Sequence, residues 1–366
     1  MLDRAKPPEA DGAAAGEVAP PLVAASPGLR ILIVTDAWFP QVNGVVRTMA
    51  TVVRELAAMG HVVEVIGPDR FRTVPCPTYP DIRLAVLPGR RLGRMLEDFA
   101  PDALHISTEG PLGMAARSWA RHRGLPFTTA FHTRFPEYVQ ARIGLPPALA
   151  YAVLRRFHNA GVGTMVATAG LRRELTARGF TKLRRWSRGV DLDLFRPEPR
   201  EAWALPRPVF TYVGRVAVEK NIGAFLSLDL PGSKVVVGDG PQRAALARAH
   251  PEVHFAGTRH GEPLARAYAG SDVFVFPSRT DTFGLVMLEA LACGTPVAAF
   301  PVTGPADLLG DQPGIGAIDA DLRRACLAAL EADRAACRAF AERFSWRACA
   351  ELFLSHLAPW QTAAHG

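Results

Sequence analysis

A chain of 366 residues, 49% of them hydrophobic, holds enough apolar material for two or three domains with a core each, and no run of it reaches the roughly 18–20 apolar positions that a membrane-spanning helix needs. The formal net charge of +7 favours anionic partners, namely nucleotide diphosphates, acidic lipid headgroups or nucleic acid; no basic-aromatic signature or helix-turn-helix accompanies it, which ranks nucleic acid last of the three, and no nucleic acid partner is expected. Cys76, Cys293, Cys326, Cys337 and Cys349 are odd in number and widely spaced, the pattern of buried reduced thiols rather than of disulfides or a zinc site.

Residues 1–28 mix Ala, Pro and Gly without apolar periodicity and are expected to form a disordered leader. They carry no apolar h-region or cleavage site of the secretory type, so a cytoplasmic location is expected. Ile31-Leu32-Ile33-Val34 then reads as a strand buried on both faces of a parallel sheet. A loop from Asp36 to Gly44, a helix from Val45 to Met59 closed by Gly60, and a strand from Val62 to Ile66 complete a first β-α-β unit. Further buried-strand runs at 103–106, 127–131 and 164–167, with helical stretches near 111–123 and 147–159, predict a doubly wound α/β domain over 29–188. Residues 189–208 contain four prolines and read as an interdomain linker. The alternation restarts with strands at 209–213, 234–237, 253–255, 273–276 and 296–299 and a helix at 284–293, predicting a second α/β domain over 209–345. Residues 321–357 read as helical throughout, and 346–366 are expected to form a helix and tail that pack back toward the first domain. Two such domains leave a cleft between the C-terminal edges of their strands, where open α/β sheets bind ligands.

Four stretches converge on that cleft. In the first, Asp36 to Gly44, Gly44 sets backbone N–H groups and a helix N-terminus beside an anion. In the second, Gly214-Arg215-Val-Ala-Val-Glu-Lys220-Asn221, Arg215 and Lys220 can grip a diphosphate from two sides while Gly214 permits close approach. Lys is scarce, occurring only at Lys6, Lys182, Lys220 and Lys234, which singles out Lys220. The third runs from Pro277 through Asp281, Phe283, Gly284, Leu285 and Glu289 to Gly294 and Pro296. There a helix start offers free N–H donors and a positive dipole to phosphate, and two carboxylates flank it to receive hydroxyls. That arrangement suits a molecule with a sugar at one end, a diphosphate in the middle and a ribose at the other. In the fourth stretch, His132 leaves the end of a buried strand facing the cleft.

The third stretch resembles the D/E-x7-E signature of glycosyltransferase family 4. The second is similar to that family's Gly-Arg-x-x-x-x-Lys-Asn motif, and Gly189-Val190-Asp191 with Phe195 to its Gly-Val-Asp-x-x-x-Phe element, over about residues 30 to 357. Phe-Pro-Gln-Val-Asn-Gly-Val in the first loop resembles the lipid-directed branch of mannosyl-, glucuronosyl- and glucosyltransferases. The resemblance implies a GT-B fold of two Rossmann-like domains facing a central cleft, and a retaining hexosyltransferase that uses a nucleotide diphosphate sugar, either a UDP-sugar or GDP-mannose. A lipid or glycan acceptor is implied, with no metal ion or other cofactor. It also implies that Arg215 and Lys220 bind the diphosphate, Glu289 the ribose and Asp281 sugar hydroxyls, that His132 lies near the transferring sugar, and that Gly44 approaches the phosphates. Many members carry Glu where this chain has Asp281, a methylene shorter, which leaves the donor sugar open.

Asp191-Leu-Asp193 is formally the metal-nucleotide signature of the other large glycosyltransferase fold, but it sits in the Pro-rich segment and not at a strand end, and we read it as coincidence. Two alternatives remain, a silent nucleotide-sugar-binding module and a GT-B nucleotide-sugar epimerase. A nicotinamide dehydrogenase falls below both, because neither β-α turn carries Gly-x-Gly-x-x-Gly. Finally, Leu149, Val153, Leu154 and Phe157 recur at helical spacing beside Arg155 and Arg156, with Arg117, Arg121, Arg123, Arg90, Arg91 and Arg94 on neighbouring helices. They are expected to dock the first domain on an anionic membrane surface at the inner face; the alternative is an ordinary helix whose apolar stripe faces the core.

Overall fold

The computed structural model describes residues 28–41, 43–76, 79–137, 140, 146–199, 202–280, 283–310 and 312–360. The leader expected over 1–28 therefore falls, but for Gly28, outside the described residues, as does Asp281.

The first unit contains β1 (Arg30–Val34), α1 (Gly44–Ala58), β2 (Val62–Ile66), β3 (Thr73–Cys76), β4 (Tyr79–Ala85), α2 (Gly89–Phe99) and β5 (Ala103–Ile106). It continues with α3 (Pro111–His122), β6 (Thr128–Phe131), α4 (Pro147–His158), β7 (Gly163–Val166), α5 (Ala169–Ala177) and β8 (Leu183–Arg185). Six strands pair in the order β2-β1-β5-β6-β7-β8, all parallel. Ile31 to Val34 are wholly buried, because helices cover both faces of the sheet. On one face α1 packs against β1 with Met49, Val52 and Leu56; on the other, α2, α3 and the end of α4 form a second layer.

The second unit runs β9 (Val209–Val213), α6 (Gly223–Leu226), β10 (Ser233–Val237), α7 (Arg243–Ala249), β11 (His254–Gly257), α8 (Gly261–Ala269) and β12 (Val273–Phe276). Then come α9 (Leu285–Ala292), β13 (Val297–Ala299), α10 (Thr303–Leu309), β14 (Gly316–Ile318), α11 (Leu322–Ala329), α12 (Arg334–Ala341) and α13 (Trp346–His356). Its parallel sheet is ordered β11-β10-β9-β12-β13-β14, so strand order reverses between β9 and β12, the switch point at which doubly wound sheets bind nucleotides. The corresponding reversal in the first sheet lies between β1 and β5.

The expectation of continuous helix over 321–357 is corrected. Three helices occupy it, α11 to α13, each started by a side-chain cap: Asp321, Asp333 and Ser345 accept from backbone N–H groups two or three residues on, satisfying donors that a helix start leaves orphaned. α13 crosses back to the first sheet. There Cys349, Ala350 and Phe353 enter its core, the Trp186 indole donates to the Cys349 carbonyl at 3.0 Å, and Trp360 donates to the Pro126 carbonyl at 2.8 Å. Val190, Phe195 and Trp203, between the two sheets in sequence, pack into the second core. Four of the five cysteines are buried and all are free. No helix among the described residues is long and apolar enough to cross a membrane.

Candidate active site

The loops that follow β9 and β12 meet at the second switch point. Gly214 ends β9 at φ +149°, and a Cβ there would sit 2.8 Å from the Tyr212 hydroxyl, so only glycine lets the chain turn tightly. Arg215 follows, exposed, and its carbonyl accepts from the Tyr212 hydroxyl at 2.8 Å. A 3-10 turn over Val218–Lys220 then brings up Lys220, half-buried. Asn221 closes the turn in the left-handed region at φ 53° and donates from Nδ2 to the Pro277 carbonyl at 3.0 Å, stitching this loop to the one after β12.

In that second loop Phe283 is buried, and Gly284 at φ +82° turns the chain into α9 with no side chain among the described residues capping the helix start. The first-turn N–H groups of Leu285 and Val286 thus remain as anion donors beside the Arg215 and Lys220 loop. Ser278 is buried and its hydroxyl has no partner among the described residues, which marks a polar position that a ligand or water would satisfy.

One turn into α9, Glu289 is buried, its side chain 4% exposed. The Tyr268 hydroxyl donates to its Oε2 at 2.9 Å, and Arg47 of α1, in the first unit, pairs with its Oε1. Glu289 holds the Arg47 guanidinium firmly protonated, and burial followed by the Glu289 charge pushes the Tyr268 phenol far up, so it stays a donor. Gly44 lies alongside, exposed; a Cβ there would meet only Leu285 Cδ1, at 4.0 Å. Asn43 caps α1 by accepting from Val45 and Val46, both at 3.0 Å. Two further contacts close the units on each other: Arg134 donates to Thr303 Oγ1 at 3.0 Å, and the Gly170 amide donates to the Asp307 carboxylate at 2.8 Å.

At the edge of the first sheet, Asp36 is buried and receives the amide of Leu112 at 2.9 Å and the Thr108 hydroxyl at 2.9 Å. It holds the start of α3 in place. Burial raises its pKa. His132, past β6, contacts Ser107 Oγ through Nε2 at 3.0 Å and Arg188 Nη2 through Nδ1 at 3.4 Å. A guanidinium can only donate, so Nδ1 accepts and the network assigns the proton to Nε2, which donates to Ser107. Desolvation, then Arg188, then His105 and His158 hold His132 well below its ordinary pKa, so it is neutral at physiological pH. Asp191 is spent on a turn, its Oδ1 accepting from the amides of Asp193 and Leu194 at 3.2 and 3.0 Å.

The chain matches the model described as Glycosyltransferase Family 4 over residues 42–194 and that of Glycosyl transferases group 1 over 207–332. It is 34% identical over 309 residues to a GDP-mannose-dependent alpha-mannosyltransferase of Mycobacterium tuberculosis, an alignment covering 77% of this chain and 82% of that one. The chain belongs to glycosyltransferase family 4. A second M. tuberculosis relative, a GDP-mannose-dependent alpha-(1-6)-phosphatidylinositol dimannoside mannosyltransferase, is 28% identical over 90% of this chain and 96% of its own. Sucrose-phosphate synthase from Thermosynechococcus elongatus superimposes with a TM-score of 0.68 at 20% identity, covering 89% of this chain and 98% of that one; that likeness carries the GT-B fold.

In this family 4 glycosyltransferase, Gly214, Arg215, Lys220, Phe283, Gly284, Leu285 and Glu289 gather around the second switch point, and Gly44 reaches them from the first unit. His132 sits at the other sheet edge. Asp281 lies outside the described residues. Sequence reasoning left Arg47, Tyr268 and Arg188 without roles. Only Arg47 carried a signal: it stands one helical turn after Gly44 and so shares its face.

Proposed function

We propose that this enzyme transfers a hexosyl unit from a nucleotide diphosphate sugar, GDP-mannose first among candidates, to a hydroxyl of a membrane lipid or glycolipid, with retention and without a metal ion. The observation that carries the reading is the convergence of Arg215, Lys220 and the uncapped start of α9 at the second switch point, with Glu289 one turn further in. The names of the mycobacterial relatives support the donor and the lipid acceptor. In this reading Arg215, Lys220 and the amides of Leu285 and Val286 neutralise charge developing on the leaving diphosphate, so the glycosidic bond ionises early in a preorganised field. The acceptor hydroxyl attacks the same face, and the departing phosphate takes its proton. His132, neutral and with both ring nitrogens engaged, forms a wall of the sugar site and is not the base. The test is turnover of a panel of nucleotide sugars, read as nucleotide release with and without polar-lipid acceptor. Release that needs acceptor and persists in excess EDTA is expected; loss with EDTA, restored by magnesium or manganese, would overturn the metal-free mechanism, and acceptor-independent conversion would favour an epimerase.

The acceptor side carries a membrane-facing candidate in α4. The expected apolar stripe divides: Leu154 and Phe157 are core residues, whereas Leu149 and Val153 are 61% and 55% exposed. Arg155 and Arg156 are exposed beside them, as are Arg90, Arg91 and Arg94 on α2, Arg121 on α3 and Arg123 just past its end. Arg117 ties α3 to α4 by donating to the Arg156 carbonyl at 3.0 Å. This layer would lie on an anionic surface, each cation contributing about 1 kcal/mol. Cosedimentation with vesicles should rise with the fraction of anionic lipid, weaken with salt and fall in the Arg155→Glu/Arg156→Glu variant. Indifference to lipid charge and salt would point to an acceptor in solution.

A further inference from the structure

Glu289 is a buried carboxylate whose partners come from different halves of the molecule. Tyr268 belongs to its own unit and is fixed there, wholly buried against Phe195 and Phe274. Its hydroxyl fixes Oε2 but supplies no charge. The countercharge is Arg47, on α1 of the other unit, and no other Lys, Arg or His among the described residues lies within ion-pairing distance of Glu289. An ionised carboxylate removed from water is costly unless a cation compensates it. With the units closed, Glu289 has that cation; with α1 withdrawn, it keeps only the phenol. Arg47 itself is anchored at the cleft mouth, its side chain 46% exposed, three residues from Gly44.

Each oxygen of Glu289 accepts one hydrogen bond here, and a carboxylate offers about four lone-pair sites, so one site on each oxygen remains for a vicinal diol. The ion pair borders a small cleft of about 110 Å³ that Thr51, Gly189 and Leu285 also line.

We propose that Arg47 is a positioning residue for the donor ribose: it reaches across the interdomain cleft to hold Glu289 charged and oriented, so that ribose hydroxyls are recognised fully only when the first domain has closed on the second. This rests on the reading of Glu289 as the ribose ligand. Arg47 acts through Glu289 and touches neither the reacting carbon nor the acceptor. Ribose recognition and domain closure are thereby one event, and a donor lacking the diol gains nothing from Arg47.

The test is calorimetric binding of GDP or UDP, whichever the wild type binds, against its 2′,3′-dideoxy counterpart. Wild type should prefer the ribonucleotide by roughly 10- to 100-fold, as expected for hydroxyls bonded to a charged group. In Arg47→Ala that preference should fall to about threefold or less, through weaker ribonucleotide binding alone, with dideoxynucleotide affinity unchanged. Arg47→Lys, which keeps the charge on a different geometry, should restore part of it. Equal losses for both nucleotides would mean that Arg47 acts on the phosphates or on the fold, and an undiminished preference would mean that Glu289 does not depend on it; either overturns the proposal. A wild type that binds neither nucleotide, or binds both forms equally, defeats the ribose reading of Glu289 itself and is thereby distinguished from failure of Arg47 alone.

Discussion

Arg215→Ala and Lys220→Ala should each lower kcat/KM by on the order of 100- to 1,000-fold, the scale seen when one preorganised donor to a developing anion is removed. The leaving group in the proposed reaction is a nucleoside diphosphate, and its charge grows as the glycosidic bond lengthens. Three sources of positive potential surround the place where it would sit: Arg215 and Lys220 on the loop after β9, and the uncapped amides at the start of α9. The helix start is built into the backbone and survives either substitution, which keeps the loss short of complete. Neither side chain belongs to a hydrophobic core, Arg215 being exposed and Lys220 half-buried, so stability should change by about 0.5 kcal/mol or less. Thermal melting in parallel with kinetics checks both halves of this statement. A variant that unfolds would show the residue to be structural, and one that keeps full turnover would remove it from the phosphate site.

The second large effect is expected at Glu289. Glu289→Gln keeps the shape of the side chain and its hydrogen bond with Tyr268 but removes the charge that pairs with Arg47 and that the proposed ribose contact would use. Nucleotide affinity should fall roughly 10- to 100-fold, the worth of hydrogen bonds to a charged acceptor. Stability should fall too, because the position is buried and the amide cannot satisfy the guanidinium as a carboxylate does. That cost is about 1–3 kcal/mol, below that of breaking a fully buried pair, since Arg47 is half in solvent. Binding of GDP and UDP by calorimetry, with a denaturant melt of the free protein, measures the two losses separately. Retention of wild-type nucleotide affinity would exclude Glu289 from the donor site.

Much of the fold is legible where physics is local. The runs Ile31 to Val34 and Val273 to Phe276 announce strands covered on both faces, because only such strands tolerate continuous apolar sequence. The loops of the candidate site can be read because glycines, cations and a helix start recur at fixed offsets after β9 and β12. The β3–β4 hairpin is not legible: Pro75 and Pro80 interrupt both strands, and proline argues against a strand. β8 is three residues, Leu-Arg-Arg, too short and too charged to show a period. The helices α11 to α13 merge in sequence because their breaks are set by the caps Asp333 and Ser345, which a reading by composition passes over. Along α4, Tyr151, Leu154, Phe157 and His158 turn inward while Leu149 and Val153 turn out; periodicity finds both sets and cannot say which faces the core. The ion pair of Arg47 with Glu289 spans 242 residues, and no local rule connects them.

The most direct test of the proposed reaction is to incubate the purified enzyme with labelled GDP-mannose and UDP-sugars in the presence of polar-lipid vesicles and EDTA, then follow label into the solvent-extracted lipid and read the anomer of the new linkage by NMR. The expected result is one nucleotide diphosphate released per sugar transferred, with the donor's α configuration kept in a lipid-linked product. A β-linked product would contradict retention, and nucleotide sugars that bind without any label reaching lipid or another acceptor would contradict the transferase reading itself.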